Sequence, residues 1–176
     1  MTETPGGGQS ISVRSEGEAD AAAIEAVTLE AFRDIEYSDQ TEHLIVRALR
    51  DSGDLVVSVV AVLDSAVVGH AAASPVSISD GSLGWFGLGP VSVTPTVQNM
   101  GIGSQLVREV LGQLQALSAA GCVVLGDSRY YRRFGFACVD GLVLPEVPPD
   151  HFMALTFGSR LPTGIVSYSP AFSVGR

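Results

Sequence analysis

Residues 11–14 read Ile-Ser-Val-Arg, apolar and polar in turn, the period of a strand with one covered face. The period then lengthens. Ile24, Val27, Thr28 and Ala31 recur at helical spacing, which predicts a helix to about Phe32 with Asp20 as its cap. After the turn Asp-Ile-Glu-Tyr-Ser-Asp, a second helical stripe runs through Leu44, Ile45, Ala48 and Leu49. Asp39 and Glu42 stand before it in a capping-box relation, and Ser52-Gly53 closes it. Residues 55–63 are valine-rich, Asp64-Ser65 is a short turn and 66–74 returns, so the two segments predict a hairpin. Residues 75–82 read as a loop. Residues 83–93 read as a strand interrupted by Gly87, Gly89 and Pro90, the composition of a bulge or a broken edge. Ile102, Leu106, Val107, Val110, Leu111, Leu114 and Leu117 mark the longest helix, about 101–120, ended by Gly121. A wholly apolar strand follows at 122–125. A short helix at 128–134 is capped by Asp127 or Ser128 and stopped by Gly135, and short strands fall around 142–144, 152–157 and 165–168. The order β-α-α-β-β-β-α-β-α-β-β predicts an α+β (mixed α/β) fold in one domain over 10–176, behind a disordered lead at 1–9.

Composition narrows the function. Nineteen acidic residues against ten basic ones leave a net charge of -9, and every base is arginine. That balance argues against nucleic-acid binding through phosphate neutralisation, and no basic amphipathic face offers itself to a membrane. The longest apolar run, 55–63, is too short to span a bilayer, and the polar, glycine-rich start is no signal peptide. Cys122 and Cys138 lack a CxxC spacing and histidine neighbours, so no metal site is expected; they read as two buried free thiols in a cytoplasmic protein.

The chemistry gathers at Gln98-Asn99-Met100-Gly101-Ile102-Gly103-Ser104, between a strand and the long helix. Glycine at a helix start costs stability, about 1 kcal/mol each relative to alanine. In return, the free N–H groups of the first turn and the helix dipole can hold a phosphate that a Cβ would obstruct. No Gly-Lys-Ser/Thr follows, so this is no P-loop, and the third glycine of a dinucleotide fingerprint is missing. A second cluster, Tyr130-Tyr131-Arg132-Arg133-Phe134-Gly135-Phe136, follows the next strand.

These two clusters, in this order, resemble the GNAT superfamily of acetyl-CoA-dependent N-acetyltransferases. Gln98, Gly101 and Gly103 match the family's Q/R-x-x-G-x-G/A turn, and Tyr130, Tyr131, Gly135 and Phe136 match its Phe/Tyr-Tyr-x-x-x-Gly-Phe element. Residues 88–93 look like its central cofactor strand, and the resemblance covers roughly 11–136. It implies a central twisted mixed sheet, splayed at the acetyl-CoA site and flanked by helices. Pantetheine would bond the backbone at Val91 and Val93, and the diphosphate would sit on the amides of Asn99, Met100, Gly101, Ile102, Gly103 and Ser104 beside Gln98. Relatives often carry a basic residue just before the first glycine, where this chain has Met100. The resemblance also implies direct transfer of acetyl to a small-molecule or protein amine. A backbone N–H near Val91 or Ser92 would meet the oxyanion, and Tyr131 would protonate the departing thiolate. The residue-level alternatives stay open: Tyr131 or Tyr130 as packing, and Arg132 and Arg133 facing either phosphate or solvent. Trp85 and Phe86 either wall an acceptor pocket or fill core. The base is Asp34, Glu36, His43, His70 or water, while His151 reads as surface. The second function class is a non-catalytic acyl-CoA sensor on the same fold. Relatives often dimerise, which implies a homodimer.

Overall fold

The structure, a computed structural model, describes residues 10–158 and 160–175; the lead expected at 1–9 lies outside the described residues. In chain order the elements are β1 (Ile11–Ser15), α1 (Ala21–Phe32), α2 (Glu42–Ser52), β2 (Val57–Leu63), β3 (Ala66–Pro75), β4 (Ser77–Ile78) and β5 (Trp85–Val93). They continue with α3 (Ile102–Ala116), β6 (Gly121–Leu125), α4 (Ser128–Tyr131), β7 (Leu142–Val143), β8 (Phe152–Thr156) and β9 (Gly164–Ser167). Six strands form a mixed sheet in the order β1-β2-β3-β5-β6-β8, in which only β5 and β6 run parallel. A small second sheet, β4-β9-β7, stands beside it.

The alternation along β2 explains the layers. Val57, Val59 and Ala61 join the main core with α3 residues Leu106, Val107, Val110 and Leu114, while Val60 packs with Ile24 of α1 and Val46 of α2. Successive strand residues face opposite ways, so α3 covers one face of the sheet and α1 with α2 the other. A third cluster, built on Trp85, Val123 and Phe152, joins the small sheet to the large one.

The differences from the sequence pattern have local causes. Asp20 does not cap α1; its carboxylate accepts from the Gly17 N–H at 2.7 Å and from the Arg14 guanidinium at 2.6 and 3.1 Å, tying β1 to a 3-10 turn. Thr41, not Asp39, is the N-cap residue of α2. The segment expected as a loop at 75–82 contains β4, and β5 begins at Trp85 because Leu83 is exposed. α3 stops at Ala116: Ser118 turns left-handed at φ 60°, and the Ala119 N–H donates back to the Leu114 carbonyl at 3.0 Å. Gly121 is therefore a strand residue, required because a Cβ there would enter the Trp85 ring. Of the two cysteines, Cys122 is buried and Cys138 exposed, and both are free thiols.

Candidate active site

The sheet opens along β5. From Trp85 to Leu88 the strand is paired with β6 through Gly121–Val124, and from Phe86 onward with β3 as well. Beyond Leu88 only the β3 side is paired, up to Gly69 opposite Val93. The change falls at Gly89-Pro90. Between the pairs Ala73 with Leu88 and Ala71 with Val91, β3 advances by two residues and β5 by three, the extra residue of a bulge. Gly89 takes φ 141°, which favours glycine, and proline has no N–H to give a ladder. The bulge expected from these residues is thus where the sheet splays.

The alternation also fixes which backbone groups face the opening. The Thr94 N–H donates to the Val68 carbonyl at 2.9 Å, so Thr94 and, two residues back, Ser92 spend their peptide groups on β3. Val91 and Val93 direct theirs to the open edge. One is already used: Gln98 Nε2 donates to the Val93 carbonyl at 3.0 Å, which pins the turn to the strand. Val91 and Val93 border a cleft of about 610 Å³ that runs to the start of α3.

At that start the backbone is shaped for an anion. Asn99 has φ 63° and Gly101 φ 79°, and the Gln105 N–H makes the helix's first bond, to the Gly101 carbonyl at 3.1 Å. No side-chain bond from the Gly101 cap takes a first-turn amide. The amides of Ile102, Gly103 and Ser104 precede the first intrahelical bond and carry the positive end of the dipole. Gln98, Asn99, Gly101, Ile102, Gly103 and Ser104 all line the cleft. Met100 is half-exposed and outside the lining.

The facing wall comes from α4 and the 3-10 turn after it. Asp127 caps α4 by accepting the Arg129 N–H at 2.8 Å, and Gly135 ends the turn at φ 96°. This brings Tyr130, Tyr131 and Arg133 to the cleft. The Tyr131 ring lies against bare Gly126, and a Cβ there would come within 2.5 Å of the ring. Burial pushes the Tyr131 phenol well above the usual tyrosine range, so it stays protonated and able to donate. Tyr130 reaches across to α3, its hydroxyl 2.9 Å from where a Cβ on Gly103 would be.

Other candidates fall elsewhere. Ser92 is buried beneath α1, its hydroxyl 3.4 Å from the Thr28 hydroxyl. Trp85 is core, and Phe86 packs on the main cluster. His70 is buried on the α1–α2 face, its Nε2 2.8 Å from the Ser58 hydroxyl, which donates to Glu16; burial lowers its pKa to about 4. Asp34 and Glu36 are exposed, and His43 lines a separate hollow between α1 and α2 with Arg47 and Arg50. His151 is exposed, 3.9 Å from Asp150. Arg132 is exposed and outside the cleft lining. Among the described residues no carboxylate or imidazole lines the cleft. Among the described residues no group of three or more potential metal ligands is gathered, and no helix is long and apolar enough to cross a membrane.

A mixed sheet opened at a bulge beside a glycine-led helix is the architecture of an acetyltransferase. The acetyltransferase (GNAT) domain family model matches residues 54–138. The uncharacterized N-acetyltransferase YhbS of Escherichia coli (strain K12) is 35% identical over 125 residues, which are 70% of this chain and 72% of that protein. The crystal structure of a GNAT family acetyltransferase from Brucella melitensis in complex with acetyl-CoA is 47% identical. It superposes with a TM-score of 0.84 over 94% of this chain and 99% of that one. The E. coli YhbS crystal structure in complex with CoA gives 0.86 at 29% identity, over 99% and 98% of the two chains. This chain belongs to the GNAT family of N-acetyltransferases.

Proposed function

We propose that the chain transfers acetyl from acetyl-CoA to a primary amine, by direct attack of the amine on the thioester in a ternary complex. The observation that carries this is the meeting, in one cleft, of the open Val91 and Val93 peptide edge, the free amides of Ile102 to Ser104 and the Tyr131 phenol. The site suits the cosubstrate. Backbone donors and a dipole end fit a diphosphate, bare Gly101 opens on free space that lets it approach, and an unpaired strand edge fits the amide-bearing pantetheine arm.

Each residue then has a task. Val91 and Val93 hold the arm so that the thioester lies beside the bulge, which orients it for attack. The Val91 N–H, unspent on β3, stabilises the carbonyl oxygen as charge develops there; Ser92 is excluded from this role because its amide is committed. The amine nitrogen bonds the carbonyl carbon, the carbon–sulfur bond breaks, and the electron pair leaves on sulfur. Tyr131 donates its phenolic proton to that sulfur and is reprotonated from solvent. The nitrogen's own proton passes to water, since among the described residues no carboxylate or imidazole lines the cleft to take it.

The lack of a carboxylate or imidazole there among the described residues, and of any charged side chain from Gln98 to Ser104, favours a second reading: an acyl-CoA sensor that does not turn over. Acetyl-CoA with a panel of small amines and lysine-bearing peptides separates the two, with thiol release followed alongside calorimetric binding. Amine-dependent release supports the transferase. Binding without release across the panel favours the sensor, and absence of binding rejects both.

A further inference from the structure

Residues 98–104 contain no charged side chain. A diphosphate lying on α3 would therefore meet dipoles alone from that wall. The opposite wall carries the cation. Arg133 is exposed and lines the same cleft. Its guanidinium sits over the Tyr130 ring, 4.4 Å from Cζ to the ring centre, and its Nε donates to the Tyr130 carbonyl at 2.9 Å. One nitrogen is spent on the backbone and the ring holds the group in place, which leaves the terminal nitrogens as the donors for a ligand. The chain has nearly twice as many acids as bases, and Arg14, Arg47, Arg50 and Arg129 each pair with a carboxylate. Among the described residues Arg133 has none within ion-pair distance. Asp127, the acid of its own segment, is held by Arg129 at 2.9 Å.

Tyr130 makes the arrangement rigid. Its hydroxyl rests over the first turn of α3 at Gly103, and its ring meets Tyr131 and Phe134 edge-on at 5.0 and 5.5 Å. Arg108, from α3, sits over Phe134 at 5.4 Å. The platform under Arg133 is thus clamped between α3 and α4 before any ligand arrives, so a charge-assisted contact costs little ordering entropy.

We infer that Arg133, held on the Tyr130 ring, supplies from across the cleft the cation for the cosubstrate's diphosphate that the α3 turn itself lacks. Arg133 is a binding residue and Tyr130 a positioning residue. The inference rests on the acetyl-CoA reading above and adds to it which side chain neutralises the anion and from which wall.

The test compares three probes by calorimetry: CoA, dephospho-CoA, which keeps the diphosphate but lacks the 3′-phosphate, and pantetheine, which has neither. Arg133→Gln should weaken CoA and dephospho-CoA alike, by about tenfold, and leave pantetheine unchanged. The salt dependence of CoA binding should flatten in the same variant. Tyr130→Leu should reproduce part of the loss with the charge still present, and Met100→Arg placed in the Arg133→Gln chain should restore affinity. Equal affinity of Arg133→Gln and the parent for CoA overturns the inference. So does a loss confined to CoA, which would place the cation at the 3′-phosphate. Failure of the parent to bind CoA would reject the acetyl-CoA reading itself, a distinct result. Arg133 is exposed, so its variants should melt with the parent.

Discussion

At the scale of single residues, the group proposed to protonate the leaving sulfur is a phenol that burial keeps protonated. Tyr131 packs against Gly126 and beside the edge of Tyr130, with its pKa raised chiefly by desolvation. A raised phenol pKa keeps the proton on the ring through the alkaline range in which an ordinary tyrosine would lose it, and it weakens the drive to donate, so the transfer calls for the full charge of a departing thiolate. Tyr131→Phe removes the proton and keeps the ring. Its kcat should fall about 10- to 100-fold, while CoA affinity stays within about twofold because no phosphate contact is lost. Steady-state kinetics with calorimetry check both; an unchanged kcat removes Tyr131 from the chemistry. The tyrosine was legible in its motif, since Gly135 and Phe136 mark the distance to it. Arg133's part was not. The sequence shows two adjacent arginines, and only the turn after α4 decides that one stacks on Tyr130 while its neighbour stays outside the cleft.

At the scale of elements, α3 gives up helix stability at its first turn for a bare backbone. Alanine is worth roughly 1 kcal/mol more than glycine inside a helix, so Gly103→Ala would ordinarily stabilise. Here the added methyl meets the Tyr130 hydroxyl at 2.9 Å, the tip of a ring held by Tyr131, Phe134 and Arg133, so that packing must shift to admit it. The expected outcome is a Tm no higher than the parent's, with CoA affinity reduced about tenfold, as the displaced ring crowds the amides. Thermal melts and calorimetry on the one variant check both; a raised Tm with affinity intact would contradict it. The two glycines, the long stripe from Ile102 to Leu114 and the hairpin were all legible, because each is a local pattern that the final packing obeys. What failed was local pattern overruled from a distance. Gly121 looked like a helix stop, yet it is needed by Trp85, a ring thirty-six positions earlier that lies over its Cα. Asp20 looked like a cap for α1, but Arg14 and Gly17 offered its carboxylate better partners. Of the small sheet, β7 and β9 were expected as short strands around 142–144 and 165–168, while β4 escaped because the two residues Ser77–Ile78 have no period to read.

At the scale of the whole molecule, the α1–α2 face is bound by a polar chain that draws on four elements or their edges. Arg50 of α2 bonds Glu16, just after β1, at 3.0 and 3.1 Å, Glu16 accepts from Ser58 of β2 at 2.5 Å, and Ser58 meets His70 Nε2 of β3 at 2.8 Å. Ser58 spends its proton on the carboxylate, so His70 must donate through Nε2, which leaves Nδ1 buried without a partner among the described residues. A neutral imidazole is the form this site accepts. Burial is the main cause of the drop to about 4, opposed by the Glu16 charge and aided by that of Arg50. In the unfolded chain the same ring titrates near its ordinary value of 6.5. Between those values the unfolded chain holds a proton that the folded one refuses, so stability is level above about pH 6.5 and declines toward pH 4, by up to about 3 kcal/mol from this residue alone. Asp20, held down to about 2 by Arg14 and Gly17, titrates in a lower window and does not confuse the assignment. Urea unfolding at pH 7.5, 6.5, 5.5 and 4.5 should show the parent losing stability over the last three points. His70→Gln, weaker at pH 7.5 because it disturbs a buried contact, should show a shallower decline. Parallel slopes in the two proteins would mean that His70 carries the proton in the folded state as well, and that the chain from Arg50 to β3 is held together by a charged imidazole rather than a neutral one.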